Sequence, residues 1–206
     1  MATVRKSGRL FAFEGLDGSG KSTQMHLLVA TLRDLGYDVV ATREPTDGKY
    51  GRRLRQLLTS REQCSPDEEL RLFVEDRRDH VETLIKPALA SGKVVLTDRY
   101  YLSTAAYQGV LGHDPETILR ENEVFAPLPD LVFFLQIPVA TGIARITGGR
   151  GEQLNDFEKE DSLRQVQKVF ASISRPFIRI IDGSRSIVEV SEDILRLALP
   201  VLEDPS

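Results

Sequence analysis

A single cysteine, Cys64, occurs in 206 residues, and with no second thiol an intrachain disulfide is excluded. Only three histidines accompany it, scattered along the chain, so a Cys/His zinc site is not expected. No stretch approaches the roughly 18 consecutive apolar residues of a membrane-spanning helix. Residues 1–9 also lack the apolar core of a secretory leader. A reducing, cytoplasmic setting with no membrane partner is the expectation. An excess of positive charge is missing too: 27 basic against 31 acidic side chains give a net charge of −4. No global basic field therefore favours a nucleic acid polymer. Arginines cluster only locally, at Arg52, Arg53 and Arg55 and again at Arg77 and Arg78. There is no internal repeat and no low-complexity tract. At 41% hydrophobic and 28% charged residues, the composition suits one globular domain, residues 1–206, with a buried core.

Against that ordinary background one stretch stands out. Gly15-Leu16-Asp17-Gly18-Ser19-Gly20-Lys21-Ser22 meets the phosphate-binding pattern G-x-x-x-x-G-K-[ST]. It follows the apolar run Leu10-Phe11-Ala12-Phe13 and precedes a helix-like segment, the order strand, glycine loop, helix that this chemistry requires. Glycines let backbone N–H groups turn inward around a polyphosphate, and the helix N-terminus adds partial positive charge. Lys21 then reaches the β/γ-phosphates, and the Ser22 hydroxyl is a candidate ligand for Mg2+. The sequence predicts a site for a nucleoside triphosphate.

Extended and helical segments alternate along the rest of the chain, which predicts a parallel α/β sheet. Met25, Leu28, Leu32 and Leu35 recur at helical spacing, with Gly36 placed to end the helix. Asp38 to Thr42 reads as a second strand. The turn-rich segment Pro45 to Gly51 leads to a short helix through Leu58. Ser65-Pro66-Asp67-Glu68 predicts a helix start, with Ser65 as N-cap and Glu68 closing a capping box, and that helix runs to about Ala90. Strands follow at Lys93 to Thr97, Leu131 to Gln136 and Phe177 to Ile181, and a closing helix at Ile187 to Leu199. Thr147 to Asn155, glycine-rich around Arg150, reads as a surface loop of the kind that often moves.

Three further constellations carry chemistry. The strand ending at Thr97 delivers Asp98 at its carboxyl end, where a carboxylate beside a phosphate loop orders Mg2+. A helix starting near Tyr100 would set Ser103 and Tyr107 on one face with Gln108 adjacent. Phe73 and Arg77 form another i, i+4 pair. Spacing alone favours a core aromatic with an exposed charge over the other reading, an aromatic plate beside a guanidinium fork for a flat heterocycle. Thr42-Arg43-Glu44-Pro45 ends the second strand at the edge where open α/β sheets bind ligands. Arg43 is there a candidate partner for a monophosphate, and Pro45 a candidate for a cis bond.

The segment Glu14 to Gln24, the Arg43-Glu44-Pro45 turn, Phe73 to Val81 and Asp98 to Gly109 together resemble the thymidylate kinase family, in the same order and at similar spacing over nearly the whole chain. The resemblance implies a P-loop kinase fold, a five-stranded parallel sheet wrapped by helices with a short lid at about 147–155. It implies the phosphorylation of dTMP by ATP with Mg2+, held by Ser22 and Asp98, and a homodimer. The triphosphate would lie on Gly15, Asp17, Gly18, Ser19, Gly20, Lys21, Ser22 and Thr23. On the acceptor side, Phe73 would stack on thymine, with Arg77 and Gln108 at its polar edge or surroundings and Ser103 supporting the pocket. Asp17 would accept from the deoxyribose 3′-OH, and Tyr107 would lie where a 2′-OH would intrude. Arg43 and Arg99 would hold the acceptor phosphate, Arg99 also acting in catalysis beside Lys21 and Asp98.

Members of the family differ in whether the phosphate loop or the lid supplies a catalytic cation. Gly18 occupies the loop position here, so the resemblance assigns that charge to Arg150, with Arg145 second or stacked on adenine. Two departures stand out: Thr46-Asp47-Gly48 replaces a Gly-Gly-Thr turn, and Gln167 stands where many relatives carry arginine. Two other enzyme readings stay open, a kinase for a different monophosphate and one for a deoxynucleoside. A GTP-dependent switch lacks support: there is no Asn-Lys-x-Asp motif, and Asp98 is followed by Arg99-Tyr100. A catalytically inactive relative kept for interaction is opposed by the intact phosphate loop.

Overall fold

The computed structural model describes residues 8–59, 64–150 and 160–204, without the side chains of residues 58, 59, 149 and 150. Five strands form one sheet: β1 (Arg9–Glu14), β2 (Val39–Arg43), β3 (Val94–Asp98), β4 (Leu131–Gln136) and β5 (Ile178–Asp182). Their spatial order is β2-β3-β1-β4-β5, and every pairing is parallel. Both faces of such a sheet are covered, so its central strands need continuous apolar runs rather than alternation. Leu10, Phe11, Ala12 and Phe13 meet that need, none more than 1% exposed.

Helices cover the two faces. On one, α1 (Lys21–Asp34) and α9 (Ile187–Glu203) pack Met25, Leu28, Leu32, Val190 and Ile194 against Phe11, Phe13 and Phe133. On the other, α5 (Tyr101–Val110) and α8 (Glu160–Ser172) bring Tyr101, Ala105, Leu163 and Val166 onto Leu10, Ala12 and Val132. The remaining helices are α2 (Lys49–Thr59), α3 (Pro66–His80), α4 (Lys86–Ala90), α6 (Pro115–Glu123) and α7 (Val139–Arg150). Among the described residues no helix is long and apolar enough to cross a membrane.

Several local expectations hold for the stated reasons. Gly36, at φ +88°, ends α1 with the two bonds of a Schellman motif, Gly36 N–H to Arg33 O and Tyr37 N–H to Leu32 O. Ser65 caps α3 by accepting from the Glu68 N–H at 3.2 Å. Others need correction. Leu35 is not on the buried face of α1: it lies just past the last helical residue and is 55% exposed. The long helix from Pro66 is interrupted by a π-helical turn, Val81–Ile85. Pro87 follows closely, and without an N–H it cannot continue the regular ladder. Residues 147–150, expected as loop, are the end of α7, while 151–155 lie outside the described residues. The sequence reading placed none of α6, α7 and α8.

Candidate functional site

The carboxyl ends of β1, β2 and β3 converge on one cleft. In register, Phe13 and Arg43 both lie opposite Asp98, so the phosphate loop after β1 faces the Arg43 turn across the end of β3. A cavity of about 470 Å3 there is lined by Asp17, Lys21, Ser22, Arg43, Asp98 and Arg99, among others.

The loop's glycines are dictated by close approach. Gly15 has φ +137°, and a Cβ there would stand 2.5 Å from the Leu135 carbonyl oxygen. Gly18 has φ +76°, and its Cβ would meet the Gly142 carbonyl oxygen at 2.5 Å. No side chain fits at residue 18 without moving the start of α7, so an arginine cannot work from that loop position. Gly20 precedes α1 with no side-chain cap, which leaves the first N–H groups of the helix to other acceptors. Lys21 folds back, its Nζ donating to Gly15 O (3.1 Å) and Leu16 O (2.8 Å). Burial, reinforced by the Arg99 charge, pushes its pKa down to about 8 despite Asp17 and Asp98. Ser22 Oγ donates to Asp98 Oδ2, which joins the two predicted metal ligands. Among the described residues, no group of three or more His, Cys, Asp or Glu side chains is placed to hold a metal. A hydroxyl plus one carboxylate nevertheless suits Mg2+, which commonly takes one or two carboxylates and completes its shell with water and substrate phosphates.

Arg99 organises the floor of the cleft. Its Nη2 donates to Asp17 Oδ1 (2.6 Å), and its Nη1 to Ser103 Oγ (2.9 Å) and to Gly15 O (3.4 Å). The backbone is held at φ +70°, an unfavourable value for a side chain of this size. Bonds from Arg99 N–H to Phe13 O (2.9 Å) and from Thr97 Oγ1 to Arg99 O (2.8 Å) fix it there. Asp17 Oδ2 accepts from the Tyr107 hydroxyl at 3.0 Å. Burial would raise the Asp17 pKa, but Arg99 and Lys21 outweigh it and hold it down at about 2. Asp17, Arg99, Ser103 and Tyr107 thus form one bonded cluster.

Beneath it lies a residue the sequence reading gave no role. Glu14, 0% exposed, accepts at Oε1 from the N–H groups of Tyr100 (2.8 Å) and Ser103 (3.1 Å), and at Oε2 from the Ser103 hydroxyl. Tyr100 precedes α5 without a side-chain cap, so the carboxylate at the end of β1 caps that helix from across the sheet. Burial raises the Glu14 pKa from 4.5 to about 7, against the pull of Ser103 and Arg99. Folding therefore favours the protonated acid, and stability falls as pH rises from about 5 to 7, by up to ~3 kcal/mol. The opposite contribution of Asp17 lies lower, between about 2 and 3.8, and does not overlap. Glu14→Gln is expected to gain on the wild type across pH 5 to 7.5 in urea titrations. A difference independent of pH would contradict the assignment.

The second half of the cleft rests on a buried polar network. The Glu44–Pro45 peptide is cis. Glu44 accepts from Arg77 Nε (2.9 Å) and Nη2 (2.5 Å) at Oε2, and shares a bond with His80 Nδ1 (3.0 Å) at Oε1. Arg77 also donates to Asn122 Oδ1 (2.8 Å) and Thr104 Oγ1 (2.9 Å). At 1% exposure, Arg77 is not the solvated charge of the simpler reading. Burial would raise the Glu44 pKa, but Arg77 and His80 lower it. Phe73 is half-buried beside Leu54, Leu57 and Leu72. Gln108 is fully buried, its Nε2 donating to Glu69 Oε1 at 2.8 Å. Arg43 is exposed at the rim and paired with Asp47 at 2.9 Å, which also accepts from Arg55 at 2.8 Å. Glu69, His80, Asn122 and Thr104 were missed by sequence reasoning. The four-residue spacing of Glu69, Phe73 and Arg77, matched by Thr104 and Gln108, was the available signal.

Arg145 approaches from α7, donating to Gly18 O (3.3 Å) and Gly183 O (3.2 Å). With Ser19, Gly20 and Thr23 it lines a smaller hollow behind the loop, closed by Leu135 and Val190. Arg145 also lines the larger cleft beside Lys21 and Arg99, so it borders both hollows. Arg150 ends α7, and its side chain lies outside the described residues.

The pattern of one protein family, described as thymidylate kinase, matches residues 13–194. A thymidylate kinase of Desulfotalea psychrophila is 55% identical over 188 residues, 91% of this chain and 93% of the relative. One from Akkermansia muciniphila is 48% identical over 190 residues, 92% of this chain and 90% of its own length. One from Xanthomonas oryzae pv. oryzae is 40% identical over 199 residues, 97% and 85% respectively.

Proposed function

Because this chain belongs to the thymidylate kinase family, we propose that it transfers the γ-phosphoryl group of ATP to dTMP, giving dTDP and ADP. The observation that carries the reading is the single cleft in which Lys21, Ser22 and Asp98 face Arg43, Arg99 and Asp17. One side is built for a triphosphate and the other for a second anion. Such a transfer needs no covalent enzyme intermediate and no strong base, because positioning and charge neutralisation suffice for a loose transition state.

In this reading the inward N–H groups of residues 15–23 cradle the triphosphate, and Lys21 swings from the loop carbonyls to its outer phosphates. Arg43 and Arg99 hold the acceptor phosphate, and Asp17 takes the 3′-OH with Tyr107 crowding the 2′ side of the sugar. Phe73, Arg77, Ser103 and Gln108 make or support the base pocket. Mg2+, held by Ser22 and Asp98, would neutralise phosphate charge when bound. Residues 147–155 serve as the lid that excludes water. Arg150 supplies the lid cation, and Arg145 lies against adenine. Family resemblance supports a homodimer, which sedimentation velocity tests.

A coupled assay of ADP release over dTMP, dUMP, UMP, dCMP and thymidine tests the function: dTMP should be fastest, and no response to any monophosphate would refute it. Asp17→Asn is expected to raise the KM for dTMP about tenfold, the size of a lost bond to a charged group. The same rise with 3′-deoxy-dTMP would remove the sugar-hydroxyl role. Arg150→Ala should lower kcat at least ~100-fold with little change in KM for dTMP, while Arg145→Ala should act mainly on KM for ATP. The reverse pattern would exchange the two assignments.

A further inference from the structure

The turn in which Thr46-Asp47-Gly48 replaces a Gly-Gly-Thr sequence brings a carboxylate to the arginine proposed for the acceptor phosphate. We infer that Asp47 competes with that phosphate for Arg43. Acceptor binding is then an exchange of partners on Arg43, and Asp47 sets how tightly the nucleoside monophosphate is held. The inference rests on the proposed function and adds a residue that tunes affinity at that site.

Arg43 borders two hollows. It lines the cleft of about 470 Å3 with Lys21 and Arg99, and an adjoining hollow of about 570 Å3 with Thr46, Asp47 and Asp79. Of the two, Asp47 lines the second alone. Arg43 Nη2 donates to both oxygens of the Asp47 carboxylate, at 2.9 and 3.2 Å, so its charge is drawn toward the side hollow. The turn holds the carboxylate in that place. Arg52 Nη1 donates to the Asp47 carbonyl at 2.6 Å, and Arg55 donates to Pro45 O at 3.0 Å and to Asp47 Oδ1 at 2.8 Å. Thr46 is anchored to α3, its N–H and hydroxyl donating at 2.8 and 2.6 Å to the two oxygens of Asp76, which is buried.

The strengths of the two partners favour an exchange. The Arg43 and Asp47 side chains are 62% and 74% exposed, and ion pairs of that kind are weak. A phosphate dianion offers a guanidinium more charge and more acceptor oxygens than a carboxylate does, so it displaces Asp47. The carboxylate is not stranded when Arg43 leaves, because Arg55 keeps its bond. Arg43 also holds the Asp47 carboxyl below the usual carboxylate range, so the competitor is charged at neutral pH. Once the acceptor is bound, the pair is broken in the ground state and the transition state alike. The competition is therefore felt in KM rather than in kcat.

Asp47→Asn keeps the size of the side chain and removes its charge. It is expected to lower the KM for dTMP about threefold, with kcat and the KM for ATP within ~1.5-fold of the wild type. Thymidine, which carries no phosphate, should bind both proteins equally in calorimetric titrations. Because the exchange runs through Arg43, the same substitution in an Arg43→Ala background should change the KM for dTMP by less than ~1.5-fold. Asp47→Glu keeps the charge and should stay near the wild type. An unchanged or raised KM in Asp47→Asn overturns the inference. So does a threefold gain in the Arg43→Ala background, which would mean that the carboxylate acts directly on the substrate's charge, or an equal gain for thymidine and dTMP. A wild type that does not turn over dTMP overturns the functional reading, whereas normal turnover with no response to Asp47→Asn overturns the inference alone.

Discussion

Lys21→Ala is expected to lower turnover by about four orders of magnitude while leaving the protein folded. The side chain ends between Gly15 O and Leu16 O, at the heart of the phosphate loop, and the other cations of its cleft are already engaged. Arg99 lies beyond Asp17, and Arg145 is bonded to Gly18 and Gly183. Losing the cation that faces the outer phosphates removes stabilisation made mainly in the transition state, the kind of loss that appears in kcat. Stability should move the other way. Burial and Arg99 already disfavour this charge in the folded state, pushing its pKa down to about 8. Removing the ammonium therefore relieves a cost, and the variant's Tm should equal or exceed that of the wild type. Such a trade of stability for activity is common at catalytic sites. Turnover within tenfold of wild type would refute the assignment.

Arg99→Ala should also cut kcat/KM by about three orders of magnitude, but with a fall in stability. Its guanidinium is the stronger of the two charges, with Lys21, that hold Asp17 ionised against burial, and it reaches Ser103, which in turn donates to Glu14. Deleting one member of a partly buried pair strands the other, at a cost of up to ~3 kcal/mol reduced by the pair's remaining solvent contact. The backbone adds a sharper test. At φ +70° alanine is strained and glycine is not, so Arg99→Gly should be more stable than Arg99→Ala by ~1 kcal/mol. Thermal melts of the two variants check the order. Equal stability would mean that the backbone relaxes once the side chain is gone.

The sheet was legible because its strands are short β-branched or aromatic runs flanked by turn residues, and the phosphate loop because its glycines stand where a Cβ would strike Leu135 or Gly142. Asp98 drew a role only from its pairing with the phosphate loop, since an aspartate after an apolar strand is often a turn residue, and Arg99 drew one only from the family resemblance. The buried carboxylates were not legible. Glu14 and Glu44 sit next to the recognised motifs, yet their roles depend on partners far along the chain, Ser103 and Arg77. Local spacing carries no record of such pairings. Arg77 shows the limit well, since its i, i+4 relation to Phe73 by itself favours an exposed charge, whereas the side chain is buried among Glu44, Asn122 and Thr104. The π-helical turn before Pro87 escaped because periodicity over Pro66 to Ala90 stays helical on either side of it.

A crystal structure of the protein with dTMP and a non-hydrolysable ATP analogue would test the account most directly. The triphosphate should lie on residues 15–23 with Lys21 drawn away from the Gly15 and Leu16 carbonyls. The dTMP phosphate should lie between Arg43 and Arg99, with its base against Phe73. A thymidine phosphate bound elsewhere, or a cleft that takes the ATP analogue alone, would contradict it.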